Sequence, residues 1–279
     1  LSQRIVVLGG GTMGAGIAYV FGLAKFEVDV VDPAEATRES CLRLVQHVAD
    51  RAVKRGVLGS ADSNLLTQRV STHSSLGAIS PKPLLLVEAV PEDFDLKTVA
   101  LLGAETLHPT MLASNTSSIS ISSLAAKLTR PESFIGMHFF NPAWSNPLVE
   151  IVVGEKTSTQ TAASAQQLVN IIGKDAITVE DSPGFATSRL GIALGLEAIR
   201  MVSDGVASVA DIDRAMELGY RHPMGPLRLT DLVGLDVRLG IARNLAQALG
   251  SRFEPPQLLI DMVANGDLGK KSGKGFFDW

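Results

Sequence analysis

The sequence predicts a doubly wound, mostly parallel α/β sheet followed by an all-α C-terminal domain, and three observations carry that expectation. Short apolar runs alternate with helical periodicities through the first 182 residues, the order that sets strands side by side with helices on both faces. Gly9-Gly10-Gly11-Thr12-Met13-Gly14 follows the first apolar run directly, where a strand turns into a helix. After Asp181-Ser182-Pro183-Gly184, from Phe185 onward, only helical periodicity remains. The boundary is therefore placed at 182, giving domains 1–182 and 183–279.

Each element follows from the local pattern. Arg4 to Leu8 reads as a strand, Ala15 to Ala24 as a helix and Glu27 to Val31 as a second strand. A long helix is expected from Ala34 to Arg55, with Gly56 as its C-terminal stop. Val70 to Thr72 and Leu84 to Val90 read as strands, with Ser80-Pro81-Lys82-Pro83 punctuating the approach to the second. A helix over Leu96 to Leu107, a short strand over Met111 to Ser114 and a helix over Ile119 to Leu128 follow. Phe134 to Phe140, Leu148 to Val153 and Ala176 to Glu180 complete the sheet, with a helix over Thr159 to Ile172. The second domain is expected to hold helices over Thr187 to Ser203, Val209 to Leu218, Pro226 to Leu249 and Pro256 to Ala264.

Composition bounds the function. A chain of 279 residues with 46% hydrophobic content buries a sizeable core. A formal charge of −4 leaves no basic field for nucleic acid. Cys41 is the only cysteine, so neither an intrachain disulfide nor a thiolate metal cluster is expected, and the five His form no evident ligand cluster, so no metal is expected. No apolar run reaches the roughly 20 residues that cross a bilayer. Leu1 to Leu8 reads as a strand and not as a signal peptide, a cytoplasmic location is the default, and the absence of an initiator Met is read as a trimmed start.

The glycine turn sets the first site. In this spacing Gly9 permits the tight turn, Gly11 lets the backbone approach phosphates and Gly14 lets helix and strand pack closely. Free backbone N–H groups and the helix dipole then face a pyrophosphate. Asp32, at the end of the second strand and 18 residues beyond Gly14, is placed to accept hydrogen bonds from adenosine ribose hydroxyls. A carboxylate there repels a 2′-phosphate and Pro33 offers no cation, so a Rossmann-type domain binding NAD rather than NADP is expected. A second candidate site lies in His138-Phe139-Phe140-Asn141-Pro142 with Leu148-Val149-Glu150. Here one imidazole and one carboxylate sit in two adjacent apolar runs. A His oriented by a buried carboxylate takes a proton from an alcohol near neutral pH, whereas a lone His near a strand end is more often merely hydrogen-bonded. Ser114-Asn115-Thr116-Ser117-Ser118 is a polar cluster just after a strand, where α/β folds place ligands. Its alternative is the N-cap of the next helix.

With these motifs in place the chain resembles the short-chain L-3-hydroxyacyl-CoA dehydrogenases, the 3-hydroxybutyryl-CoA dehydrogenase type included. The likeness runs through Gly9 to Ala18, Glu88-Ala89-Val90-Pro91-Glu92-Asp93, Ser114 to Ser118, the His138 segment and Ser182-Pro183-Gly184-Phe185. It continues in His222-Pro223-Met224-Gly225-Pro226, Asp231-Leu232-Val233-Gly234-Leu235-Asp236 and Gly269-Lys270-Lys271-Ser272-Gly273-Lys274-Gly275-Phe276. The resemblance implies His138 as catalytic base, Glu150 as its orienting partner and Ser117 as hydroxyl donor to the reacting oxygen. Glu92, Lys97, Ser117 and Asn141 match positions around the cofactor ribose and nicotinamide, and Thr12, Met13, Ala89, Val90 and Asn115 are placed with them. On its own Lys97 reads as a solvated helix face. Ser188 stands where family members most often carry Asn to hold the substrate, and Trp144-Ser145-Asn146-Pro147 replaces a more usual Val-Met-Lys type of sequence at the acyl pocket or its access.

The substrate expected is an acyl-CoA. Arg51, Lys54 and Arg55 are the nearest basic group for its phosphates, with a solvated helix face as the alternative; Lys270, Lys271 and Lys274 suit a cap or interface role. A homodimer through the helical domain, which also closes over the cleft, is expected. Two other functions remain open at this level: a dehydrogenase of a free 3-hydroxy acid of the carnitine or gulonate kind, and a dinucleotide-binding protein without turnover.

Overall fold

Residues 4–279 are described by a computed structural model. Leu1, Ser2 and Gln3, which open the segment expected to start as a strand, lie outside the described residues. The chain divides into two compact units, Leu1–Asp181 and Ser182–Trp279.

In the first unit the elements run β1 (Arg4–Leu8), α1 (Thr12–Leu23), β2 (Glu27–Val31), α2 (Glu35–Lys54), α3 (Ser60–Gln68), β3 (Val70–His73), β4 (Leu85–Glu88), α4 (Phe94–Glu105), β5 (Met111–Ser114), α5 (Ile121–Ala125), β6 (Phe134–Phe139), β7 (Leu148–Val153), α6 (Thr159–Ile171) and β8 (Asp175–Glu180). One eight-stranded sheet has the order β3-β2-β1-β4-β5-β6-β7-β8. All neighbouring pairs are parallel except β6 with β7. The central strands are buried on both faces, Ile5, Val7, Leu85 and Val87 being wholly inaccessible, as expected of parallel strands with helices on either side. Phe21 of α1 meets Phe26 edge-on at 5.7 Å and Phe139 at 6.4 Å. It thereby ties the first helix to both halves of the sheet.

The structure corrects the expected elements in several places. α3 was not expected; only Ser63 and Leu66 of its nine residues are buried, too few for a visible apolar stripe. β4 stops at Glu88 instead of Val90, because the Val90 N–H turns back to donate to the Glu88 carboxylate (2.7 Å). α5 starts at Ile121 and not at Ile119, since Ser120 is its cap and accepts from the Ser123 N–H (3.1 Å).

The second unit contains α7 (Thr187–Ser203), α8 (Val209–Gly219), α9 (Pro226–Val233), α10 (Leu235–Leu249) and α11 (Gln257–Ala264). Ile192, Leu196 and Ile199 of α7 form its core with Ile212, Leu227, Leu239, Leu245 and Leu259. The single helix expected over Pro226 to Leu249 is two. The apolar period runs through Gly234, but that residue has φ +105°, outside helical space and open chiefly to glycine, so the chain turns there.

Candidate functional site

Five mutually parallel strands, β1, β2, β4, β5 and β6, deliver most of the candidate residues at their C-terminal ends, the edge where open α/β sheets bind ligands. After β1 the turn is tight: the Gly9 N–H donates to Val31 O (2.8 Å). A Cβ on Gly14 would lie 1.8 Å from the Gly9 carbonyl oxygen, and one on Gly9 2.7 Å from Ala89 O. At Gly11 nothing lies within 4 Å of that position. Close packing is thus confined to the first and third glycines, and the second faces open space. α1 begins there with no side-chain cap and no acidic residue in its first turn, which leaves its positive end for an anion. Asp32 accepts from the Gly10 and Ala34 N–H groups, each at 2.9 Å. Both carboxylate oxygens keep a lone pair for a further donor.

A cleft of about 780 Å³ joins these groups, lined by Gly9, Gly11, Thr12, Met13, Asp32, Ala89 and Val90 together with Thr37, Leu96 and Val99. Its mostly apolar wall, uncapped helix end and Asp32 carboxylate fit a dinucleotide such as NAD. Thr37, Leu96 and Val99 were not singled out in the sequence, since they come from helices whose orientation toward the cleft is a tertiary matter.

Beyond Val90 the cleft wall continues into a buried polar network. Lys97 on α4 is 1% exposed. Its ammonium donates to Glu88 (2.7 Å) and to Val90 O (3.0 Å) and stands 3.4 Å from Glu92. The solvated-face alternative for Lys97 is thereby overturned. Glu88, itself wholly buried, also accepts from the Ser114 hydroxyl (2.5 Å). No role was assigned to it from sequence, although an acid ending the apolar run Leu84-Leu85-Leu86-Val87 called for a cationic partner. Glu92 accepts from the Thr116 hydroxyl (2.7 Å) and from the Ser117 and Ser118 N–H groups (both 2.9 Å). Burial opposes its ionisation, but Lys97 and the hydrogen bonds of Thr116, Ser118 and Ser117 outweigh it and hold the carboxyl below the usual range. The 114–118 cluster is therefore pinned by Glu92 and Glu88, and the capping alternative fails because Ser120 does that work.

Asn115 carries the network to β6: its Oδ1 accepts the Phe139 N–H (2.8 Å). The preceding residue, His138, faces Glu150 directly across the antiparallel β6/β7 pair. The ring Nδ1 is 2.7 Å from Glu150 Oε2, with His138 6% exposed and Glu150 wholly buried. A carboxylate at this position suits the Nδ1–H tautomer of the ring, in which Nε2 is the basic nitrogen. The Phe140 ring lies 4.3 Å from the imidazole, tilted by 50°.

The remaining candidates lie apart. Asn141 is exposed at the end of β6. In the loop that follows, Trp144 packs on the core beside Gly16 of α1, while Asn146 caps the Leu148 N–H (3.0 Å) and takes a hydrogen bond from Lys174 on its carbonyl. Trp144 is thus a core anchor. Arg51 and Lys54 are exposed on α2; Lys54 borders a hollow of about 250 Å³ with Ser60, Ser63 and Asn64. Ser188 belongs to α7 in the second unit. Lys271 and Lys274 are paired with Asp236 and Asp267.

The family model of the 3-hydroxyacyl-CoA dehydrogenase NAD binding domain matches residues 4–182, and that of the 3-hydroxyacyl-CoA dehydrogenase C-terminal domain matches residues 184–279. The 3-hydroxybutyryl-CoA dehydrogenase of Mycobacterium tuberculosis is 39% identical over 99% of this chain and 98% of its own length. A probable 3-hydroxybutyryl-CoA dehydrogenase of Bacillus subtilis is 38% identical over 99% and 97%. The crystal structure of (S)-3-hydroxybutyryl-CoA dehydrogenase from Ralstonia eutropha superposes with a TM-score of 0.94 at 36% identity, covering 100% of this chain and 99% of that one. Two matched domains and near full-length relatives make one statement unavoidable: the chain belongs to the 3-hydroxyacyl-CoA dehydrogenase family, with an NAD-binding first unit.

Proposed function

We propose that the chain oxidises L-3-hydroxyacyl-CoA reversibly to 3-ketoacyl-CoA with NAD, and that His138 and Glu150 move the proton. The observation that carries the residue assignment is the 2.7 Å contact between His138 Nδ1 and a wholly buried Glu150 on facing strand positions. Nε2 takes the proton of the 3-hydroxyl, and the Glu150 carboxylate stabilises the imidazolium so formed. The turn of Gly9, Gly11 and Gly14 with Asp32 would hold NAD, whose nicotinamide would supply the acceptor for the C3 hydride. Ser117 donates a hydrogen bond to the oxygen as it becomes a carbonyl. Its backbone is held by Glu92 while its hydroxyl lies 3.4 Å from that carboxylate, loosely enough to turn to a substrate.

Gly9, Gly11, Thr12, Met13, Gly14 and Asp32 are the proposed pyrophosphate and adenosine contacts, with Ala89, Val90, Glu92, Lys97, Asn115 and Asn141 toward the nicotinamide side. Ser188 is the proposed substrate contact in the second unit, and Arg51 and Lys54 are the proposed partners of the coenzyme A phosphates. In a NADH-consumption assay acetoacetyl-CoA is expected to turn over and free acetoacetate not. Replacing His138→Gln is expected to lower turnover at least about 100-fold with little change in NAD affinity; unchanged turnover overturns the assignment.

A further inference from the structure

Arg38, near the start of α2, is half-buried and takes no part in the proton transfer. Its Nη1 donates to two successive carbonyls, Asp32 O at 2.8 Å and Pro33 O at 2.9 Å. Two carbonyl dipoles that converge on one point repel each other, and a cation between them offsets the repulsion and fixes the turn that carries them. That turn needs fixing on its outer side. Pro33, Ala34 and Glu35 are exposed, Pro33 has no N–H to donate, and α2 begins with no side-chain cap.

The same turn carries the Asp32 carboxylate. Its oxygens accept from the Gly10 and Ala34 N–H groups, while the Asp32 N–H donates to His73 O of β3 (3.0 Å). Asp32 is thus held by β3 on the sheet side, by the glycine turn on the cleft side and by Arg38 on the helix side. The start of α2 packs directly on the glycine turn, since a Cβ on Gly10 would lie 3.3 Å from the Thr37 methyl. A shift of the turn relative to α2 therefore moves the carboxylate relative to the cleft. Hydrogen bonds from hydroxyls form over a range of only about 0.5 Å, so such a shift breaks them.

We propose that Arg38 is a positioning residue for the cofactor: by clamping the Asp32 and Pro33 carbonyls it aims the Asp32 carboxylate at the adenosine ribose hydroxyls and so raises affinity for NAD. The inference rests on the reading of Asp32 as the ribose contact. Dissociation constants for NADH, read by its fluorescence, and initial rates with acetoacetyl-CoA test it on the full chain. Arg38→Met keeps the aliphatic stem and removes the donors. It is expected to weaken NADH binding about 10-fold, the lower end for a charged hydrogen bond, with the loss in KM for NADH and not in kcat. Arg38→Lys, which keeps the charge but not the planar fork, is expected to fall between, and it replaces Arg38→Met in the comparison if that variant unfolds at a lower temperature than the parent. In an Asp32→Ala background the Arg38 substitution is expected to change NADH affinity by less than about 2-fold, the spread of independent sites, because the group that Arg38 aims is gone. Equal NADH affinity in the parent and the Arg38 variant overturns the proposal. So does a loss of the same size with and without Asp32, which would make Arg38 a support of the fold at large. Unchanged NADH affinity in Asp32→Ala alone overturns the ribose reading itself, and the inference falls with it.

Discussion

At the scale of single residues, the charge of Glu92 holds the polar turn that follows β5. Its carboxylate gathers the hydroxyl of Thr116 and the N–H groups of Ser117 and Ser118, with Lys97 at 3.4 Å. A carboxyl whose folded pKa is lowered contributes stability above its unfolded pKa, about 4.3 for Glu, and loses it as pH falls through the folded value. Solvent screening at this 37% exposed side chain keeps the effect small. Melting temperatures taken on acidification from neutral pH are expected to fall less steeply in Glu92→Gln than in the parent, the difference opening below about 4.3. Coincident curves would mean that Glu92 is not ionised preferentially in the folded state. Lys97 teaches the complementary lesson. Its sequence context reads as a solvated helix face, and its burial against Glu88 was decided by packing, since the two lie nine residues apart and on different elements.

At the scale of elements, the helical unit is closed by its own C-terminal tail. Asp231 of α9, wholly buried, accepts from the Phe276 and Phe277 N–H groups and from Trp279 Nε1, all at 2.9 Å. One turn earlier the Arg228 guanidinium lies 4.0 Å from the Phe277 ring centroid. Asp231→Ala leaves three donors without their acceptor and is expected to cost about 3 kcal/mol in urea unfolding, with Trp279 fluorescence shifted to the red. A loss under about 1 kcal/mol, less than an ordinary charged hydrogen bond, would show that the tail is held by its aromatic contacts. The break at Gly234 belongs to this scale as well. Apolar periodicity reports which face is buried and is blind to one backbone angle, so α9 and α10 read as a single helix. α3 was illegible for the opposite reason, with a clear backbone and almost no apolar face.

At the scale of the whole molecule, each unit has its own core, and no helix among the described residues is long and apolar enough to cross a membrane. The helical unit exposes large apolar side chains, Leu190 at 69%, Leu218 at 67% and Tyr220 at 75%. Side chains of this size left in water support the expected homodimer. Sedimentation equilibrium at micromolar concentration is expected to return twice the mass of one chain; a monomer mass would overturn it.

What the sequence by itself determined is whatever rests on short-range spacing. The glycine turn and Asp32 are bound to one strand–turn–helix–strand unit, and His138 and Glu150 lie in neighbouring runs joined by a short loop, so chain connectivity alone brings each set together. What only the tertiary structure decided is which polar groups are buried and against what. Lys97 with Glu88, Glu92 with the 116–118 backbone and Trp144 on α1 all depend on packing between elements. The energy of a charge or a ring is set by the neighbours that exclude water from it, and those neighbours are not adjacent in the chain.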